Sequence, residues 1–582
     1  MIRIKNHKQR QLFDPWRHLS PKRRKMLEED WPGLFREHLL EELPVDQMLP
    51  HFTDGIGRPS KELYTVLGVL LLQQTMDLTD KAAIEQLAFN IQWHYALNIP
   101  EESDDAKTIS EKTLYSMRQV MIDNHLDETM FDAIADKLAV VFGVDTKDQR
   151  IDSVHIKSNM RRLGRISIFS QTIFKFLVNL KRHHRMLFDA IDEKVIARYW
   201  GKKALAAFSM IKPSGSEKTL KTVSTDLFDL IEQFKDQPQV CSMHSYKLMQ
   251  RVLAEQCSLS SDTDGSKVTV KKPADIPADS LQNPSDPDAT YSGHKGQGYQ
   301  VQVMETFDRG EDNAEKQQRL NLITHVNVQT ACEHDAHALA PAIADTRVRG
   351  VGPKKLLADT LYGSDTNDRI AQVATVELVA PTHKGRSKED LLSQFRFNKK
   401  GLVTQCPAGY RPENTSPKTK RSNFGAGFDL QRCLACPMLP QCPVKPGKKK
   451  AYLRYSEKRY RLAKRRALEA SAAFIDDYRW RAGVEATMSE FDRRTGVKKL
   501  RVRGMPAVRF YARMKATGLN ILRAGAARKA RRKAWAANGA YIGHVDTFIH
   551  AVKERIQRFI EDLGSVFLNP TQAADSYRNM AA

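Results

Sequence analysis

Apolar positions over residues 1–145 recur at helical spacing. Residues 64–74 are apolar almost throughout and predict a buried helix. Residues 81–97 carry Ala83, Leu87, Ile91 and Tyr95 at steps of four, one face of a single helix. Residues 109–118 read as another helix, with Ser110 as N-cap. Short helices with polar joints fit a helix-turn-helix or a plain bundle equally well. The pattern then changes to a strand at 148–158, around Ile151, Val154 and Ile156. Helical spacing returns over 160–255, and the Ser-, Asp- and Pro-rich stretch 258–290 reads as a loop or linker. Strands are predicted at 299–304 and 322–328, and a helix from Asp335 through Ala344. A further strand at 355–358 ends on Asp359, a short helix follows Ser364, and a strand covers 376–379. Residues 385–450 are polar and rich in Gly and Pro; 470–494 predict one helix. Strands alternating with helices over 148–380 indicate a mixed α/β core with a buried sheet, interrupted by one long helical insertion.

Composition narrows the function. A chain of 582 residues with 41% hydrophobic positions predicts about four structural units with real cores. Its longest apolar stretches, 67–72 and 138–142, fall short of the roughly 20 residues of a membrane span. The first seven residues run straight into charge, unlike a signal peptide, so a cytoplasmic protein is expected. No Gly-x-x-x-x-Gly-Lys loop occurs, so ATP use is not expected. With 92 Lys and Arg against 69 Asp and Glu, the net charge of +23 asks for a polyanionic partner, nucleic acid first. The excess is concentrated. Residues 445–466 hold 11 basic side chains and one acid, Glu457; residues 493–533 hold 15 and none. Tyr452, Tyr455 and Tyr460 interleave with the first run, and Phe510, Tyr511, Leu519 and Ile521 with the second. Such interleaving implies folded elements that present Lys and Arg to phosphates.

Against that positive background, a few acids stand out. Asp152 lies inside the first strand and Asp359 closes a later one, positions where an unpaired carboxylate costs several kcal/mol. A plainer role for Asp359 is to cap the following turn. On the 470–494 helix, Tyr478, Arg481 and Glu485 project from one face, as a surface ion pair with a packed Tyr would also do. Two aspartates and a glutamate meeting at a sheet edge offer hard oxygen ligands for Mg²⁺ or Mn²⁺. Paired ions of that kind drive phosphodiester displacement. Seven cysteines in a reducing compartment suggest metal before disulfide. Cys406, Cys433, Cys436 and Cys442 include a Cys-x-x-Cys pair suited to a structural Zn²⁺, the alternative being reduced thiols in a loop. Cys241, Cys257 and Cys332 read as core thiols, and His334 and His337 as structural.

In their order along the chain these pieces resemble a DDE transposase of a bacterial insertion sequence. The matching segments are Gly57-Arg58-Pro59-Ser60, Leu78-Thr79-Asp80-Lys81, residues 109–118 and Arg150-Ile151-Asp152-Ser153. They continue with Asp286-Pro287-Asp288-Ala289 ahead of Gly298-Tyr299, then residues 358–364 and the Tyr478/Arg481/Glu485 helix. The resemblance implies an RNase H-like mixed sheet as catalytic core. It divides the chain into a helical N-terminal DNA-binding domain (1–145), the first core strand (146–159) and a helical insertion with linker (160–290). The core resumes at 291–384, followed by a Cys-containing, basic insertion (385–469). A catalytic helix with the basic C-terminal part of the core (470–535) and a helical tail (536–582) complete it.

It further implies Asp152, Asp359 and Glu485 as the catalytic, Mg²⁺-binding triad, with Asp145 and Asp365 as substitutes for the aspartates. Tyr478 and Arg481 would belong to the family's Tyr–Arg–Glu–Lys signature and position the transposon end. The signature's last basic residue falls on Asp492 here, with Arg493 and Arg494 just beyond. Lys498, Lys499, Arg501 and Arg503 extend that DNA-binding surface. The expected partners are double-stranded terminal repeats and target DNA, bound by at least a dimer in the bacterial cytoplasm. A DNA-binding regulator that keeps the basic surface without chemistry is the rival from another class. A nuclease centred on the cysteines is weaker, because a four-cysteine site is closed to substrate.

Overall fold

The computed structural model describes residues 2–7, 9, 14–52, 59–262, 265–310, 312–383, 391–417 and 423–537. Gly57, Arg58 and nearly all of the expected C-terminal tail lie outside them. The helical periodicity of the N-terminal part is realised in α1 (Leu63–Thr75), nearly all of whose residues are buried, and in α2 (Leu126–Phe142). The helix Glu111–Asp123 starts as expected, with the Ser110 side chain accepting from the Thr113 N–H. The single helix expected at 81–97 is two, Asp80–Phe89 and Ile91–Ala96. Asn90 leaves helical geometry between them and caps the second by accepting from the Gln92 N–H.

A mixed sheet lies at the centre. It comprises β1 (Asp148–Lys157), β2 (Gly296–Thr306), β3 (Ile323–Thr330), β4 (Lys355–Leu357) and β5 (Glu377–Val379), in the spatial order β3-β2-β1-β4-β5. The short strand Thr290–Ser292 adds to the start of β2. β2 runs antiparallel to β1 and to β3, whereas β4 and β5 run parallel to β1. Val154, Ile156, Val301, Val303, Val326 and Val328 pack one face against α2 and against a helix at 483–495. The other face sets Ile151, Met304 and Leu356 against Ala338, Leu339 and Ile343. The helix expected from Asp335 begins as a tight turn, Asp335–Ala338, and becomes α-helical at Leu339–Val348.

The insertion builds a core of its own from α3 (Arg165–His183), α4 (Pro213–Phe234) and α5 (His244–Gln256), centred on Phe169, Phe176, Leu227 and Tyr246. The loop expected at 258–290 opens instead with paired strands, Cys257–Asp262 and Gly265–Val270, where Val268 and Val270 supply the β-branched residues.

Residues 385–450 hold more structure than their polar composition suggested. A four-stranded antiparallel sheet, β6 (Asn414–Ser416), β7 (Asn423–Asp429), β8 (Lys445–Pro446) and β9 (Lys450–Ser456), runs in the order β6-β7-β9-β8. Its inner face packs Ala426, Phe428, Leu453 and Tyr455 under α6 (Glu457–Glu469).

The predicted 470–494 helix is broken into α7 (Ala472–Arg479), one tight turn at Trp480–Ala482, and α8 (Gly483–Thr495). Arg150 accounts for the break. Its Nη1 donates to the Trp480 carbonyl at 2.9 Å and lies so close to Gly483 that a Cβ there would come within 2.0 Å of it. The 33-residue α9 (Met505–Ala537) closes the molecule. One side adds Phe510, Met514 and Ile521 to the N-terminal helical core, and another adds Val508, Ala512 and Leu519 to the sheet core. Among the described residues no helix is long and apolar enough to cross a membrane.

Candidate active site

Asp152 lies inside β1, and Asp359 lies just past the end of the adjacent parallel strand β4. The last β1–β4 pair joins Arg150 to Leu357, and each aspartate lies two residues beyond it, where the strands part. Asp152 remains paired with Val303 of β2, so its side chain falls on the face covered by α8. Its carboxylate accepts from the Ser153 N–H at 2.8 Å and from Arg481 Nη2 at 2.7 Å. Burial pushes its pKa above the ordinary carboxylate range, and the nearby charges of Asp359 and Asp335 push the same way, opposed by that N–H and by Arg481. Asp359 also caps the turn Thr360–Tyr362, accepting from the Leu361 N–H at 2.8 Å. The plainer role is therefore present alongside the cluster.

Glu485 sits in the first turn of α8 with 71% of its side chain exposed. It does not touch the aspartates; Arg481 stands between, 3.4 Å from Glu485. Arg481 Nε is buried with no hydrogen-bond partner among the described residues, so the guanidinium is only partly satisfied in this bridge. A tight turn at Trp480–Ala482 interrupts the helix between Tyr478 and Glu485, while Arg481 and Glu485 stay i,i+4 neighbours. Tyr478 stacks on Phe474 at 5.8 Å and packs beside Leu357 and Val379. Burial raises its pKa, and Asp359 and Asp152 add to the shift against Arg481.

The two substitute aspartates have other work. Asp365 accepts a bidentate pair from Arg461 at 2.9 and 2.8 Å, which lowers its pKa, and Asp145 lies exposed beside Lys147. Asp286 and Asp288 hold the start of α9, accepting from the Gly504 and Met505 N–H groups. Of the basic residues expected at DNA, Arg494 pairs with Glu490, Lys498 with Asp492 and Arg501 with Asp77. Arg493, Lys499 and Arg503 are exposed and have no acidic partner among the described residues.

Sequence reasoning missed Asp335 as a neighbour of the site. It is buried and accepts from Gln302 Nε2 at 3.0 Å and Ser153 Oγ at 3.3 Å, with Lys295 Nζ 3.6 Å away. Gln302 also accepts from the buried Tyr362 hydroxyl, so one hydrogen-bonded chain links the residue after Asp152 to the turn after Asp359. The signal was the pair Gln300 and Gln302 inside an otherwise apolar strand, which marks a polar inner face.

The four cysteines Cys406, Cys433, Cys436 and Cys442 line one small cavity of about 30 Å³ whose other walls include Leu391, Phe428 and Val444. Cys406 Sγ accepts from the Tyr410 N–H at 3.3 Å. Burial, then the charges of the other three, pushes the Cys433 thiol up to about 11, and burial raises Cys442 as well. The donor set is soft and its walls are apolar, which suits zinc. The acid cluster offers hard oxygens, the donor type that divalent cations take, and a guanidinium cation bridges Asp152 to Glu485. As arranged, no three His, Cys, Asp or Glu side chains among the described residues are gathered so as to hold a metal ion.

Residues 405–524 match the family model described as Transposase DDE domain, and residues 25–119 match the Transposase domain (DUF772). Together the two matches indicate a DDE-type transposase of an insertion element. The first spans the cysteines and Glu485 but neither Asp152 nor Asp359. No curated protein and no solved structure matches the chain.

Proposed function

We propose that the chain binds the terminal inverted repeats of its own element, hydrolyses a phosphodiester at each end and joins the freed 3′-OH to target DNA. In this reading the β3-β2-β1-β4-β5 sheet is an RNase H-like core, and Asp152, Asp359 and Glu485 are its catalytic acids. The observation that carries it is the placement of two aspartates two residues beyond the last pair of adjacent parallel strands, with Arg481 joining Asp152 to the glutamate.

Asp152, Asp359 and Glu485 would hold Mg²⁺ or Mn²⁺, which when bound supplies water activation and neutralises charge on the phosphodiester. The chain's own residues perform the rest. Arg481 gives up its bridge as DNA arrives and turns its donors to a phosphate oxygen, a role suited to a fork-shaped cation. Tyr478 fixes the edge of the site beside Asp359. Arg493, Lys499 and Arg503 contact the backbone of the bound end. The N-terminal helices recognise the terminal repeat, and two copies meet on the paired ends in the bacterial cytoplasm. A Zn²⁺ held by Cys406, Cys433, Cys436 and Cys442 would clip the small sheet together.

A cleavage assay on the element's own end DNA tests the reading. Asp152→Ala, Asp359→Ala and Glu485→Ala should each abolish cleavage and leave end binding largely intact. One observation favours a regulator without chemistry: the exposed Glu485 stands apart from the aspartates. Normal end binding by a wild-type protein that never cuts in Mg²⁺ or Mn²⁺ would establish that alternative.

A further inference from the structure

We propose that the outward face of the small sheet is a second DNA contact, gripping the backbone of the duplex that is being cut. The inference rests on the transposase reading and adds a surface to it. Directly paired residues in an antiparallel sheet share a face. Tyr452 pairs with Gly427 and with Lys445, Arg454 with Gly425, and those glycines with Asn414 and Ser416. These residues therefore form the side opposite the Ala426, Phe428, Leu453 and Tyr455 core. On it, Asn414, Ser416, Lys445, Tyr452 and Arg454 are exposed.

The two glycines keep the middle of this face low. A Cβ at Gly425 would meet Ser416 Oγ at 2.5 Å, and one at Gly427 would meet Asn414 Oδ1 at 2.3 Å. Ser416 Oγ and Asn414 Oδ1 therefore lie over the two glycines and form a shallow polar floor, flanked by Tyr452 and Arg454 on the neighbouring strand. Beyond β8 the turn adds exposed Lys448 and Lys449. Among the described residues, Lys445, Lys448, Lys449 and Arg454 have no acidic partner; only Lys450 is paired, with Glu413 at 2.9 Å. A shallow face with unpaired cations, hydroxyls and an amide matches a phosphate backbone, which takes both kinds of donor.

The face is also fixed relative to the acids. α6 leaves β9 directly, and its Arg461 holds Asp365 while Arg465 donates to the carbonyls of Gly363 and Ala380. Both anchor points lie just past Asp359 or at the end of β5. A duplex seated on the sheet is thereby held at a set distance from the candidate site.

The test is binding of a terminal-repeat duplex by full-length protein across a salt series. The triple variant Lys445→Ala, Tyr452→Ala, Arg454→Ala should bind at least about tenfold more weakly. Its log–log salt slope should be shallower by about 2, the loss expected for two phosphate contacts. Lys445→Arg with Arg454→Lys should keep the wild-type slope. Because these side chains are exposed, melting should stay at the wild-type temperature, and Arg454→Glu alone provides a second, smaller perturbation with the same sign. Wild-type affinity and slope in the triple variant would overturn this inference while cleavage by the wild type leaves the transposase reading standing. A wild type that binds no duplex, or prefers single-stranded RNA of the same sequence, would overturn both.

Discussion

Along α9 several positive side chains turn inward, while Arg493, Lys499 and Arg503 before it stay exposed. Lys515 is almost fully buried and donates to Asp77 at 2.8 Å; Arg513 meets Asp127 at 3.1 Å; Arg523 meets Glu305 at 3.0 Å and Glu490 at 2.8 Å. Arg501 and Arg528 close further pairs with Asp77 and Glu37. Along β8, β9 and α6 the other basic stretch divides. Arg461 and Arg465 bind the loop after Asp359, while Lys445, Lys448, Lys449 and Arg454 face outward. Both stretches are rich in Lys and Arg interleaved with apolar residues. The one with no acid inside its own window still buries several of its cations against acids, most of them far away in the chain, such as Asp77, Asp127 and Glu305. Surplus charge in a sequence window is therefore a poor guide to which cations remain for DNA.

The largest test of this contrast is Arg523→Ala. Glu305 is fully buried between Arg150, Arg523 and Thr487, so removing one cation leaves a poorly compensated charge. The expected loss is about 3–5 kcal/mol in urea unfolding, and a loss below about 1 kcal/mol would break the distinction. Arg461→Ala comes next. It cuts a bidentate, mostly buried pair with Asp365 and should cost about 1.5–3 kcal/mol in the same experiment, showing that part of the first stretch is also structural.

A third test uses pH. Arg349 serves Asp132, Asp136 and Asp345 together, and burial, reinforced by the other acids, holds the Asp132 pKa up to about 7. A folded-state pKa above the unfolded one means the native protein binds the extra proton. The associated stability is complete below about pH 4 and is lost as pH rises through about 7. Partial exposure of Asp132 limits the effect to on the order of 1 kcal/mol. Unfolding measured at pH 5 and pH 8 should show the decline, and Asp132→Asn should remove it; an unchanged slope in that variant would contradict the shared-cation account. Smallest is Arg454→Ala, which should alter stability by no more than about 0.5 kcal/mol while weakening duplex binding. A large loss of stability there would mean that Arg454 belongs with the buried cations.

What was legible in the sequence follows the same division between local and distant causes. β2 and β3 announce themselves through alternating Val residues and β1 through Ile151, Val154 and Ile156, and Asp152 stands out because a carboxylate interrupts such a strand. Ser110 and Ser364 cap the helices expected of them, since capping depends on neighbours within three residues. The break before α8 was not legible, because the guanidinium that causes it belongs to Arg150, 330 residues from the carbonyl it takes. The small sheet escaped notice because Gly425 and Gly427 fill the outward positions between Phe424, Ala426 and Phe428, so a strand with an apolar inner face reads as a Gly-rich loop. Asp335 looked like a helix start because its partners, Ser153 and Gln302, come from two other strands.

The most direct measurement is strand cleavage of the element's terminal-repeat DNA in Mg²⁺ by the wild type and by Asp152→Ala, Asp359→Ala and Glu485→Ala. End binding by the same preparations is measured in parallel. The account predicts wild-type cleavage that EDTA abolishes. Each variant should lose at least about a thousandfold in rate, about 4 kcal/mol of transition-state stabilisation, with binding nearly unchanged. Cleavage at the wild-type rate by all three variants, or undiminished cleavage in EDTA, would contradict it.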